Sequence, residues 1–220
     1  MESGAYTTDR AAALAGVPKS TVYYWARTRV LAPSVSDDRP KLWSYTDLLR
    51  LRIVQWLRQP KPGRDGHEIA ATSMRVVRRA LETLREKKLP LLFANQSTPL
   101  RVGLDGNVWI EQPTGIVDPV GQLGMRDVLD PLAPFEIPGY RTRGPDLVHP
   151  RPHLLIRPGK LSGSPHVRHT RVETVALSAL REVGYSNEKL VELYPYLAVD
   201  DVAQSLDLED QLTDNLRQAA

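Results

Sequence analysis

A chain of 220 residues with a net charge of +3, no cysteine, 18 prolines and 2 phenylalanines excludes disulfide and thiolate chemistry and has material for small cores only. No N-terminal apolar run resembles a secretory signal and no stretch approaches about eighteen apolar residues, so a cytoplasmic protein without a membrane span is expected. Residues 1–90 carry 17 Lys and Arg against 9 Asp and Glu, whereas residues 186–220 carry 2 against 8, so the front suits a polyanion and the end repels one.

The stretch from Tyr6 to Arg27 predicts two helices joined by a tight turn. An alanine-rich helix stops at Gly16, the residue that adopts a left-handed conformation most cheaply. Pro18 then opens a second helix, where its missing N–H costs nothing. Ala11, Ala12, Val17, Val22 and Trp25 fall at the contact positions. Lys19, Ser20, Thr21, Tyr23, Tyr24 and Arg27 are left facing out. A short helix showing hydroxyls, aromatics and cations suits the major groove of double-stranded DNA.

Val30 to Pro33 reads as extended, Val35 to Pro40 as a polar turn, and Lys41 to Tyr45 as a strand, together a wing. Lys41 is placed to meet phosphates. Thr46 is the expected N-cap of a helix running to Arg58 with an apolar face of Leu48, Leu51, Ile53 and Leu57. Through Tyr6-Thr7, Ala12, Gly16-Val17, Thr21-Val22, Tyr24, Leu31, Pro33, Tyr45 and Asp47 to Ile53, this arrangement resembles the DNA-binding head of the MerR family. Where that family usually has Gly before a leucine pair, this chain has Arg29-Val30.

Gln59 to Gly66 is a loop, and Ser73 caps a helix from Met74 to Lys87 with Val77, Leu81 and Leu84 buried. Arg75, Arg78, Arg79 and Arg85 ring the rest of it. Arg101 to Ile110 is a hairpin turned by Asp105-Gly106. Val128, Leu129, Leu132 and Phe135 are expected to pack a short helical turn onto it. Prolines crowd the run from Pro131 to Pro158, which predicts an extended connector.

Leu154 to Arg157 reads as a strand, and three short helices follow. The first, Glu173 to Val183, is expected to bury Ala176, Leu177, Leu180 and Val183. Ser186 caps the second, Asn187 to Tyr194, and Asp200-Asp201 lead the third through Val202, Leu206 and Leu212. The fold class is therefore mainly α with small β elements. It comprises an N-terminal winged helix-turn-helix domain (1–90), a β-hairpin and Pro-rich connector (91–153), and a C-terminal three-helix homeodomain-like bundle (154–220).

The pattern Gly163-Xaa-Pro165-Xaa-Val167, Thr170-Arg171-Val172, Gly184-Tyr185-Ser186 and Tyr194-Pro195-Xaa-Leu197 resembles a small VapB-type antitoxin domain. In bacteria that domain accompanies toxins with a PIN-like ribonuclease fold. Such domains usually have Gly before Thr-Arg, where this chain has His169. The resemblance implies a partner nuclease with clustered carboxylates and a basic RNA track. Arg168 and Arg171 would face the former, and Asp200, Asp201, Glu209 and Asp210 the latter. For Thr170 and Arg171 a purely structural role stays open, Thr170 capping the helix and Arg171 bridging to an acidic neighbour.

His166 and His169, with His149 and His153 upstream, lack a convincing carboxylate partner, so no metal is expected. No phosphate loop and no nucleophile with its base occurs, so neither a cofactor nor an enzymatic activity is expected. The leading expectation is an antitoxin that binds operator DNA as a homodimer and neutralises a PIN-like ribonuclease toxin. Its dimer contacts would be the Asp105-Gly106 hairpin and the Val167–Val172 strand. The alternative is a stand-alone MerR-like regulator responding to a small effector.

Overall fold

The computed structural model describes residues 4–62, 68–88, 91, 98–103, 105–112, 115–117, 126–128, 132–136 and 143–217. Among them the chain is mainly helical, with α1 (Thr8–Ala15), α2 (Lys19–Arg27), α3 (Tyr45–Arg58), α4 (Met74–Glu86), α5 (Thr174–Glu182), α6 (Asn187–Leu193) and α7 (Val199–Arg217). Every strand pair among the described residues is antiparallel. Residues 63–66, Leu104 and Leu129, assigned from sequence to the loop, the hairpin and the helical turn, lie outside the described residues.

Two compact units form, one from Met1–Leu48 with Ala133–Ala220 and one from Leu49–Leu132. Packing thus groups the chain differently from the expected 1–90, 91–153 and 154–220, because α7 lies against α1. In the first unit Gly16 has φ 67° and closes α1, its N–H reaching the Ala13 carbonyl while Val17 N–H reaches that of Ala12. Those bonds satisfy carbonyls that a helix end leaves open. Tyr6–Thr7 pairs with Leu42–Trp43. The wing strand therefore finds its ladder at the start of the chain, and only a single bridge joins Ser36 to Leu42.

Ser44, not Thr46, caps α3. Asp47 N–H donates to Ser44 Oγ at 3.2 Å, and Ser44 N–H donates back to the Asp47 carboxylate at 2.9 Å. This is a reciprocal capping box. Ser34 adds two further bonds to the same carboxylate oxygen, from its N–H at 2.9 Å and its hydroxyl at 2.7 Å. Three hydrogen bonds to it explain how a residue 2 % exposed can keep its carboxylate there.

The C-terminal bundle is held by α7, whose buried stripe is Val202, Ser205, Leu206, Leu208, Glu209, Gln211, Leu212 and Asn215. Asn215 donates to the Ala13 and Arg143 carbonyls at 2.9 and 2.8 Å and accepts from Arg143 N–H at 3.0 Å. Arg10 grips Glu209 through both terminal nitrogens, at 2.6 and 2.7 Å. Helix α5 buries Thr174, Leu177 and Ser178. Ala176 and Val183, expected inside, are exposed, Val183 to 73 %. Polar Thr174 faces inward because its hydroxyl bonds Pro165 O and Glu209, which shifts the buried stripe.

Thr170 does not cap α5. It closes the preceding turn, donating to Val167 O at 2.9 Å and accepting from Val172 N–H at 3.0 Å. Arg29 and His169, the two positions where the resembling families carry Gly, have φ 55° and 62°. Both keep the backbone conformation that Gly serves, with an L side chain in place. Relief of that strain, offset by the entropy of Gly, makes His169→Gly stabilising by about 0.5–1 kcal/mol. Thermal melts should show Tm rising by roughly 1–4 °C; a lower Tm would show that the imidazole contributes more than its backbone costs.

In the second unit the Asp105-Gly106 hairpin forms as expected and extends into a four-stranded sheet. Its strands run Gly115–Val117, Val108–Gln112, Leu100–Gly103 and Arg126–Val128. Val128 is thus in a strand rather than a helical turn, because its segment pairs with the edge of Leu100–Gly103. Gly106 is buried and its carbonyl accepts from Thr72 Oγ1 at 2.8 Å, so the hairpin tip packs within its own unit. Ser73 caps α4 through Val76 N–H, and Val77, Ala80 and Leu84 form the buried face.

Candidate DNA-binding face

Helix α2 buries Val22, Trp25 and Ala26 at i, i+3 and i+4. The spacing turns Tyr23 and Tyr24 outward, 45 % and 53 % exposed. Each tyrosine carries a cation beside its ring, Lys19 Nζ at 6.0 Å from the Tyr23 centroid and Arg27 Cζ at 5.9 Å from that of Tyr24. These are the outer limit of a cation–π contact. Lys19 is also held by Asp9 at 2.7 Å, and that hydrogen bond pushes the ammonium above its ordinary value.

Lys41 of the wing and Arg29, just before it, converge on one carboxylate. Asp37 binds Lys41 and, at 3.0 Å, Arg29. Lys41 Nζ also donates to the Asp37 carbonyl at 2.8 Å. The Lys41 ammonium holds the Asp37 carboxyl below the usual carboxylate range, so it stays ionised and fixes both cations. Ser20, Tyr23, Tyr24, Arg27, Arg29, Asp37 and Lys41 line one open concavity. Sequence reasoning supplied Ser20, Tyr23, Tyr24, Arg27 and Lys41 and missed Arg29 and Asp37. An acidic residue inside the wing turn, flanked by cations on either side, was the available signal. Thr21 and Lys19 lie on α2 but do not line the concavity.

The residues expected to meet a partner protein differ in their exposure and pairing. Arg168 and Arg171 are exposed on the turn before α5, without an ion-pair partner among the described residues. Asp200 is exposed at the start of α7. Asp201 accepts from Ala198 N–H at 2.8 Å and lies 2.8 Å from His153 Nδ1. Asp210 is paired with Arg181, which keeps its carboxyl below the ordinary range. Glu209, expected on an acidic outer surface, is instead buried between Arg10 and Thr174. An uncompensated buried carboxylate is costly, and the guanidinium of the head compensates this one. His166 is buried with Nδ1 3.0 Å from Ser164 O, and burial pushes its imidazole down.

A helix-turn-helix with an exposed, cation-bearing second helix and a charged wing defines a DNA-binding protein. Residues 6–61 match the family model described as MerR HTH family regulatory protein, and residues 155–207 match that described as Protein of unknown function (DUF433). No curated protein and no solved structure matches the chain. The protein thus joins a MerR-family helix-turn-helix domain, a DNA-binding regulatory class, to a DUF433 domain. Among the described residues no helix is long and apolar enough to cross a membrane.

Proposed function

We propose that this protein is an antitoxin that binds operator DNA through α2 and its wing and neutralises a PIN-like ribonuclease through the C-terminal bundle. The observation that carries the DNA half is the single concavity joining Ser20, Tyr23, Tyr24 and Arg27 of α2 to Lys41 of the wing. On this reading Tyr23 and Tyr24 meet bases while Arg27, Lys41 and Lys19 meet phosphates. For the toxin half, Arg168 and Arg171 are guanidiniums left without an ion pair among the described residues, suited to an acidic nuclease centre. One head reads only a few base pairs, so two copies on an inverted repeat are required for a useful site.

The test is binding of the full chain to the DNA upstream of its own gene. Affinity should fall steeply with salt as phosphate contacts release counterions. Arg27→Ala should reduce the salt slope by about 1. Tyr23→Ala with Tyr24→Ala should cut discrimination against a scrambled duplex by roughly tenfold to a hundredfold, since each good base contact gives about 1–3 kcal/mol. Equal losses on both duplexes would make the tyrosines non-specific contacts, and no footprint at all would remove the DNA reading.

A further inference from the structure

The exposed large apolar side chains among the described residues fall into two groups. Tyr23, Tyr24 and Val35 lie on the DNA-binding head, while Val175, Val183, Tyr185, Leu193, Tyr196 and Val199 lie on the C-terminal bundle. Five of the second group's six members bracket α6, from the end of α5 to the start of α7. Helix α6 has one buried residue, Leu190, and leaves Leu193 51 % and nearby Tyr196 64 % exposed. Seven residues at 1.5 Å each make α6 only about 10 Å long, so the exposed apolar groups flanking it lie within a short span of the bundle. Tyr194 and Tyr196 stiffen it, ring against ring edge-on at 6.1 Å.

The charge around this surface selects its occupant. Glu182, Glu188, Glu192 and Asp200 are exposed along the same stretch, its one cation between 182 and 200, Lys189, is bound to Glu192 at 2.6 Å, and Arg181 just before it is held by Asp210. DNA is repelled. A second copy in a two-fold interface would set the same four carboxylates against themselves. We infer that this face docks a protein whose apolar contact patch is ringed by lysine and arginine. Apolar side chains supply the buried centre, and the acidic rim steers and orients the basic partner. The inference rests on the antitoxin reading for the partner's identity, since a basic RNA track is such a surface.

The experiment pairs the full chain with the protein encoded by the adjacent reading frame and measures the dissociation constant by calorimetry. Leu193→Glu and Tyr196→Ala are surface changes whose fold is checked by circular dichroism; Glu192→Lys with Asp200→Lys reverses the rim. Each is expected to weaken the complex at least tenfold, with operator affinity unchanged. Unaltered binding in all three overturns this docking face while leaving the antitoxin reading intact. Binding that depends on the face, to a partner without ribonuclease activity, upholds the docking and sinks the antitoxin reading. A chain that dimerises through Leu193 and ignores that partner, or one that stays alone at tens of micromolar, overturns the basic occupant.

Discussion

Glu209→Ala is expected to destabilise the protein by about 3 kcal/mol, because one member of a buried, doubly bonded ion pair is lost and its partner keeps its charge. Arg10 and Glu209 side chains are 21 % and 7 % exposed, so the exposed-pair range of about 0–1 kcal/mol does not apply. The residual access of Arg10 to water places the cost at the lower end of the buried range. Thr174 loses its acceptor as well. Glu209→Leu with Arg10→Met should recover much of the loss, since removing both charges leaves nothing unpaired. Urea unfolding of the four proteins gives the coupling energy directly. A Glu209→Ala penalty below about 1 kcal/mol would mean the pair behaves as a surface contact and does not join the head to the C-terminal bundle.

That pair also shows where sequence stops being informative. Arg10 and Glu209 are 199 residues apart, and each sits in a helix where a solvated role looks equally good. Nothing local separates a carboxylate in an acidic tail from one aimed into an interface. Helices α1 and α2 were legible because Gly16 and Pro18 punctuate them chemically. The cap of α3 was legible in principle: Ser44-Xaa-Xaa-Asp47 has capping-box spacing, which Thr46 lacks. The face of α5 was not, because apolar periodicity overlooks inward-facing Thr174 and Ser178. Arg29 and His169 departed from Gly patterns without departing from the backbone shape those glycines serve. Of the candidate site, the outward face of α2 was read from its apolar spacing, whereas the Asp37 clamp required the turn to be folded.

Among the described glycines, Gly163→Ala should be the most disruptive addition of a single methyl. Gly163 has φ 83°, where any L side chain is strained by about 1–2 kcal/mol. A Cβ there would stand 1.9 Å from Tyr6 Oη and 2.7 Å from its Cζ, so the ring must move. Tyr6 is 2 % exposed, and its hydroxyl donates to the Gly163 carbonyl at 2.8 Å. Burial pushes that phenol well above its ordinary value, so it remains a donor at neutral pH. Its displacement breaks this bond, which links the first strand of the head to the C-terminal domain, and disturbs the pairing of Tyr6 with Trp43. Strain, overpacking and a lost buried bond overlap, and together they should cost about 3–5 kcal/mol. Tyr6→Phe isolates the hydrogen bond and should cost only about 1 kcal/mol. Tyr6→Ala should cost less in the Gly163→Ala background than in the wild type, because there it also removes the clash and the hydrogen bond is already lost. Additive penalties in denaturant unfolding, or a Gly163→Ala protein within 1 kcal/mol of the parent, would show that the ring has room to yield.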